Sequence, residues 1–143
     1  MLVDANVLLF AVDARSHFHA RAAAWLTKLL NGSQRIGLPW QVLGAFVRIA
    51  THPRASEHPL SPKAAWAHVE DWLAWDTVWV PNPTERHSKV LGSLINSYQL
   101  RGNLVTDAQL AALAIEHGLT LCSADTDFAR FDEIRWVNPL APE

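Results

Sequence analysis

One cysteine, Cys122, stands in 143 residues, so the chain can form no internal disulfide and fits a reducing compartment, the cytosol. Charge of one sign is lacking too. Twelve lysines and arginines face 14 acids, and the net charge of -2 with a pI near 6.4 gives no whole-molecule field for a long polyanion. Any nucleic-acid contact has to come from a local patch. Long hydrophobic runs are missing as well. "VLLFAV" near the start falls far short of the roughly 20 residues that span a bilayer, and it carries neither a basic flank nor a small-residue cleavage site. A soluble, cytoplasmic protein without membrane association is expected. H-E-x-x-H, G-x-S-x-G, the P-loop and G-x-G-x-x-G do not occur, which removes the main support for zinc-protease, serine-hydrolase and nucleotide-cradling chemistry.

What is present is a half-hydrophobic chain of the length that buries one core, so a single domain over residues 1–143 is expected. Residues 1–3 are β-compatible, and Asp4 reads as the N-cap of a short helix through "ANVLLFAVD". "HFHARAAAWLTKLLNG" sets Phe18, Ala22, Trp25, Leu26 and Leu29 on one helical face, with Asn31-Gly32 as the stop. "RIGL" is a second strand, and Pro39 suits the first turn of a helix through "WQVLGAFVRIAT". Residues 51–62, rich in proline and polar side chains, form a surface loop. Ser61-Pro62 then caps a helix with Ala65, Trp66, Val69, Trp72 and Leu73 as its buried stripe. "TVWVP" is a strand, "TERHSKVLGSLINSYQ" a helix, and Arg101-Gly102-Asn103 a turn. "LVTDAQLAALAIEHG" is a helix apolar on most of its circumference, "LTLCS" a strand buried on both faces, and "RWVNPL" a weak last strand.

Strands alternating with helices predict a three-layer α/β domain, a central parallel sheet flanked by helices, because each right-handed crossover needs a helix. Ligands collect at the carboxyl ends of such strands, where strand order reverses. Asp4 follows the first strand, Asp107 opens the late helix, and Asp125 with Asp127 follows "LTLC". Singly, each is an ordinary cap or turn residue. Together on one edge they would repel by roughly 4 kcal/mol per pair at 4 Å and an effective dielectric near 20, so they need protons or a cation. An all-oxygen set with little His or Cys suits Mg²⁺ or Mn²⁺, which would lower the pKa of water and offset charge on a phosphate.

The remaining reactive residue types have quieter readings. His17 and His19 are solvated helix-start residues, and the other five histidines follow no zinc spacing. Cys122, in an apolar strand without a neighbouring base, is a buried inert thiol. The seven tryptophans are expected mostly in core and interface. Arg48 and Arg54 are candidate phosphate contacts if their helix end faces the acids.

The ordered set "LVDANVLLFAVD", "GLPWQVLGAFVRIATHPR", "GNLVTDAQLAALAIEHGLTLCSADTDFARF" and "RWVNPL" resembles PIN-domain toxins of the VapC type over essentially the whole chain. The resemblance implies a metal-dependent endoribonuclease, a homodimer neutralised by a VapB-type antitoxin, with transfer or ribosomal RNA as substrate. By motif, Asp4, Asp107 and Asp125 match the catalytic metal-binding acids, Asp127 a frequent additional metal ligand, and Asn6 a supporting polar position. Cleavage by metal-activated water would leave a 3′-hydroxyl and a 5′-phosphate. One departure stands out: the family pattern puts a glutamate shortly before "FVR", where this chain has Gly44 and Ala45, and no acid occurs between Asp13 and Glu57. Asp127, Asp13 or extra water are the candidates for that vacancy. The rival expectation is a PIN-like RNA- or protein-binding module that has lost catalysis.

Overall fold

A computed structural model describes residues 1–142. Five short strands form one sheet, β1 (Leu2–Val3), β2 (Ile36–Gly37), β3 (Val78–Trp79), β4 (Leu121–Cys122) and β5 (Trp136–Val137), in the order β3-β2-β1-β4-β5. Every pairing is parallel, with Leu2 opposite both Gly37 and Leu121. Helices α1 (Ala5–Val12) and α2 (His19–Leu30) link β1 to β2, and α3 (Trp40–Ala50) and α4 (Pro62–Leu73) link β2 to β3. The chain then returns past β1 through α5 (His87–Tyr98) and α6 (Asn103–His117) to reach β4. Strand order thus reverses between β1 and β4, the position where an open parallel sheet leaves a crevice beyond its carboxyl ends.

Burial explains why these segments take these forms. Leu2, Val3, Ile36, Leu121 and Cys122 are fully buried, as expected of central strands covered on both faces. Along α6, Ala108, Leu110, Ala111, Ala112, Leu113 and Ala114 are buried, the alanines leaving room for close approach of neighbouring elements. Phe46 of α3 meets Trp72 of α4 edge-on at 4.8 Å, tying that pair of helices into the same core. Each such large side chain contributes roughly 1.5–3 kcal/mol through burial.

Several expectations shift by a residue or a face. Pro39 is not in the first turn of α3: its ψ of 155° keeps it extended as the N-cap, and its carbonyl accepts from Val42 and Leu43. Leu30, not Leu29, completes the buried face of α2, and Phe18 lies outside, its ring tilted against that of Phe10. Trp66 is not part of the α4 stripe, and of the seven tryptophans only Trp72 is buried, while Trp40, Trp66 and Trp75 are exposed. Ser61 does cap α4, accepting from Ala64, and the loop ends there, at 61, because Pro62 already belongs to the helix; the loop is mostly exposed, with Leu60 packed against the core.

Candidate metal centre

The crevice between β1 and β4 is built by short polar side chains. Asp4 leaves β1 and caps α1, one carboxylate oxygen accepting from the Ala5 amide at 2.8 Å. Its other oxygen accepts from the Ser123 hydroxyl at 2.8 Å and from the Asn6 amide at 3.5 Å. Ser123 is fully buried and also accepts from Asn6 Nδ2 and from the Asp125 backbone, at 3.1 and 3.0 Å. Asn6 Oδ1 in turn accepts from the Ala124 amide. The two strand ends are therefore stitched together across 117 to 119 residues of sequence. Asn6 thus bonds both Asp4 and Ser123, and Ser123 carried no sequence signal, a lone hydroxyl beside a strand being indistinguishable from any turn residue.

Asp125 caps a 3-10 turn, Thr126–Arg130, by accepting from the Asp127 amide at 2.9 Å. That turn was not foreseen, and it brings Asp127 back toward Asp125. Asp107 does not open α6 but lies within it, four residues after Asn103, so it approaches from the side of the helix and not from its tip. One carboxylate oxygen each from Asp107, Asp125 and Asp127 falls within 4.8 Å of the others. Asp4 is outside that group, its oxygens turned to Ser123, Asn6 and Ala5, yet it lines the same cleft as Asp107.

Electrostatics follow from this crowding. Burial, then repulsion from Asp125, Asp127 and Asp4, pushes the Asp107 carboxyl up to about 6, against the pull of Arg130. Asp4 is also raised, by burial and by Asp125, with the Ser123 and Ala5 hydrogen bonds opposing. A site that resists ionisation in its own carboxylates is one that a divalent cation would relieve. The donor set is all oxygen and partly solvated, which fits a hard ion that keeps several waters and gives no purchase for zinc's usual nitrogen and sulfur ligands.

The cleft holds about 370 Å³ and is lined by Asp4, Asp107, Trp40, Gly44, Ala45 and Arg48, among others. Arg48 thus reaches the acidic edge, while Arg54 sits in the exposed loop and does not line the cleft. Where a glutamate was expected, Gly44 faces open space, with nothing within 4 Å of where a Cβ would stand. Asp13 cannot replace that acid: it caps the far end of α1, about 13 Å along the helix from Asp4, and accepts from the Arg15 amide. Cys122 is buried, and burial drives its thiol up to about 12, so it is inert as expected.

A parallel sheet with carboxylates gathered at its switch point defines the class, and the PIN domain model matches residues 1–134, so the chain belongs to the PIN-domain family. Within the family it stands in the VapC group. Ribonuclease VapC37 of Mycobacterium tuberculosis is 44% identical over 140 residues, 98% of this chain and 97% of that protein. Ribonuclease VapC33 of the same species is 39% identical over 140 residues, 98% of each. Among solved structures, M. tuberculosis VapC20, described as a sarcin–ricin loop cleaving toxin, superposes with a TM-score of 0.65 at 20% identity, covering 94% of this chain and 98% of that one. VapBC-1 of nontypeable Haemophilus influenzae gives 0.68 at 17% identity, covering 96% of each.

Proposed function

We propose that this chain is a metal-dependent endoribonuclease toxin of the VapC type that hydrolyses phosphodiesters in structured RNA such as transfer or ribosomal RNA. The observation that carries this is the convergence of Asp107 with Asp125 and Asp127, beside a cleft that Asp107 lines together with Asp4 and Arg48. Asp107, Asp125 and Asp127 would hold Mg²⁺ or Mn²⁺. When bound, the ion supplies Lewis acidity that lowers the pKa of water and offsets charge gathering on the phosphate. Asp4, kept in place by Ser123 and Asn6, presents its carboxylate from the end of the neighbouring strand β1 and accepts the proton of the attacking water. Arg48 neutralises a non-bridging phosphate oxygen. Water, not the ribose hydroxyl, is the nucleophile, so the products carry 3′-hydroxyl and 5′-phosphate ends.

Restraint of such an enzyme in the cell falls to a VapB-type antitoxin, a reading supported by the VapBC complexes among the structural neighbours. A homodimer in the cytoplasm is the proposed working form. The open flank at Gly44 favours one alternative, a silent RNA- or protein-binding module.

The test is to incubate antitoxin-free protein with total transfer and ribosomal RNA in Mn²⁺, Mg²⁺ or EDTA beside Asp107→Asn, and to map new ends. Discrete metal-dependent cuts that vanish in the variant are expected. No cuts from folded protein in either metal would hand the case to the silent module, and cyclic phosphate ends would overturn the water-attack chemistry.

A further inference from the structure

Trp40 and Trp66 do what tryptophans seldom do, exposing 51% and 45% of their surface side by side. Trp40 is the first residue of α3, directly after Pro39, and Trp66 is the fifth of α4. Their rings lie parallel within 7°, centroids 6.4 Å apart, and neither indole belongs to the hydrophobic core. Burial therefore does not account for them. Trp40 also lines the cleft that holds Asp4, Asp107 and Arg48. A flat aromatic face, a guanidinium and carboxylates are thus continuous along one cleft.

We propose that Trp40, flanked by Trp66, is a stacking platform for an unpaired nucleobase next to the scissile phosphate, so that the substrate is an RNA with a splayed-out, single-stranded segment at the cut. This rests on the ribonuclease function proposed above and deepens it. An unstacked base offers two apolar faces and a polar edge, and indole rings recognise it without regard to sequence. Arg48 lies beyond Trp40 on α3, two helical turns along, where the backbone phosphates of the same strand would run. A protein segment, the alternative occupant, would pair with the acids alone, whereas Arg48 beside them suits the phosphate of a nucleic-acid strand. Pro39 holds Trp40 at the helix start, its extended ψ aiming the chain from the sheet edge into α3.

The experiment measures binding and turnover separately. Fluorescently labelled RNA with one unpaired loop is titrated into full-length Asp107→Asn protein in Mg²⁺, alone and combined with Trp40→Ala, Trp66→Ala or Trp40→Phe. The same tryptophan substitutions in the active protein are assayed for KM and kcat, and circular dichroism melts confirm the fold. Trp40→Ala is expected to weaken binding roughly 5- to 150-fold, the usual loss for one stacked base. Trp66→Ala loses less, Trp40→Phe restores most of the affinity, and KM carries the change more than kcat. An abasic loop should lose the same factor and make Trp40→Ala indifferent. Unchanged RNA affinity in folded Trp40→Ala overturns the platform, whether or not the variant also loses self-association or a protein partner. Cleavage that persists with normal KM in that variant overturns the platform and leaves the nuclease intact. Tryptophan-dependent binding by a protein that never cleaves overturns the nuclease and leaves the platform standing.

Discussion

Asp107 concentrates the electrostatic cost of this site in one side chain. Burial, then three neighbouring aspartates, disfavour its charge and push its carboxyl up to about 6. A folded pKa raised above the unfolded value means that ionisation opposes folding. The contribution of Asp107 to metal-free stability is therefore full below about pH 4 and declines as pH rises toward 6, where the penalty becomes complete. Glu116 acts with the opposite sign. Burial pushes its carboxyl up, but hydrogen bonds from Thr84 and His87 outweigh that and hold it below the usual value. Its contribution is present above pH 4.5 and lost on further acidification. Metal-free protein should accordingly melt highest between these limits, near pH 4.5, and lower at pH 7, which thermal melts in EDTA across that range would check. Asp107→Asn removes the ionisation penalty, so at pH 7 in EDTA it should melt higher than the unmodified chain, by roughly 2–4 °C for about 1 kcal/mol. Added Mg²⁺ should reverse the order. A variant that melts lower in EDTA would mean that the carboxylates do not crowd one another in solution.

Helix α3 is the element in which the departure from the family pattern lies. Gly44 sits mid-helix, exposed, and a Cβ there would meet nothing. Gly44→Ala should therefore stabilise the chain by about 0.5–1 kcal/mol through helix propensity alone, read as a higher midpoint in urea. Gly44→Glu puts a carboxylate on the cleft wall, and two effects are expected: a lower melting temperature in EDTA from added repulsion, and tighter Mn²⁺ binding by calorimetry. A variant with unchanged Mn²⁺ affinity would show that this wall does not face the ion.

The same helix shows what the sequence could and could not disclose. Its course through "WQVLGAFVRIAT" was legible because helix signals are local. The N-cap role of Pro39 was not, since φ near -65° suits both N-cap and first turn and only ψ, set by the exit from β2, decides between them. Ser61-Pro62 left no such ambiguity, and Ser61→Ala should cost about 1 kcal/mol. For the site, the acids announced themselves through strand-end positions, but the distances among them depended on where α6 begins and on the 3-10 turn after Asp125. The α4 stripe failed at Trp66 for a related reason: periodicity marks a face, and it cannot tell whether that face meets the core or the mouth of a cleft.

At the scale of the whole molecule, a protein of net charge -2 that works on a polyanion must hold it by few charges and by shape. Arg48 is the basic residue that lines the cleft, and the carboxylates around it keep the local field from becoming strongly positive. Each phosphate contact on single-stranded RNA contributes about -0.7 to the slope of log affinity against log salt, so one or two contacts predict a slope of about -0.7 to -1.4. Affinity of the Asp107→Asn protein for an unpaired oligonucleotide should then fall only about three- to sevenfold between 50 and 200 mM salt, with stacking on indole supplying a part that salt leaves untouched. Arg48→Ala should flatten the slope by about one contact, and Arg54→Ala, outside the cleft lining, should leave it nearly unchanged. A slope steeper than about -3 would contradict a grip built from this cleft, because it requires more phosphate contacts than its lining can provide. The additional cations would then have to come from Arg101, Arg130 and Arg135 or from a second copy of the chain. A shallow slope that is insensitive to Arg48 would instead leave stacking and the bound ion as the whole of the grip, and the enzyme would discriminate among RNAs by which of them can turn a base out of its helix.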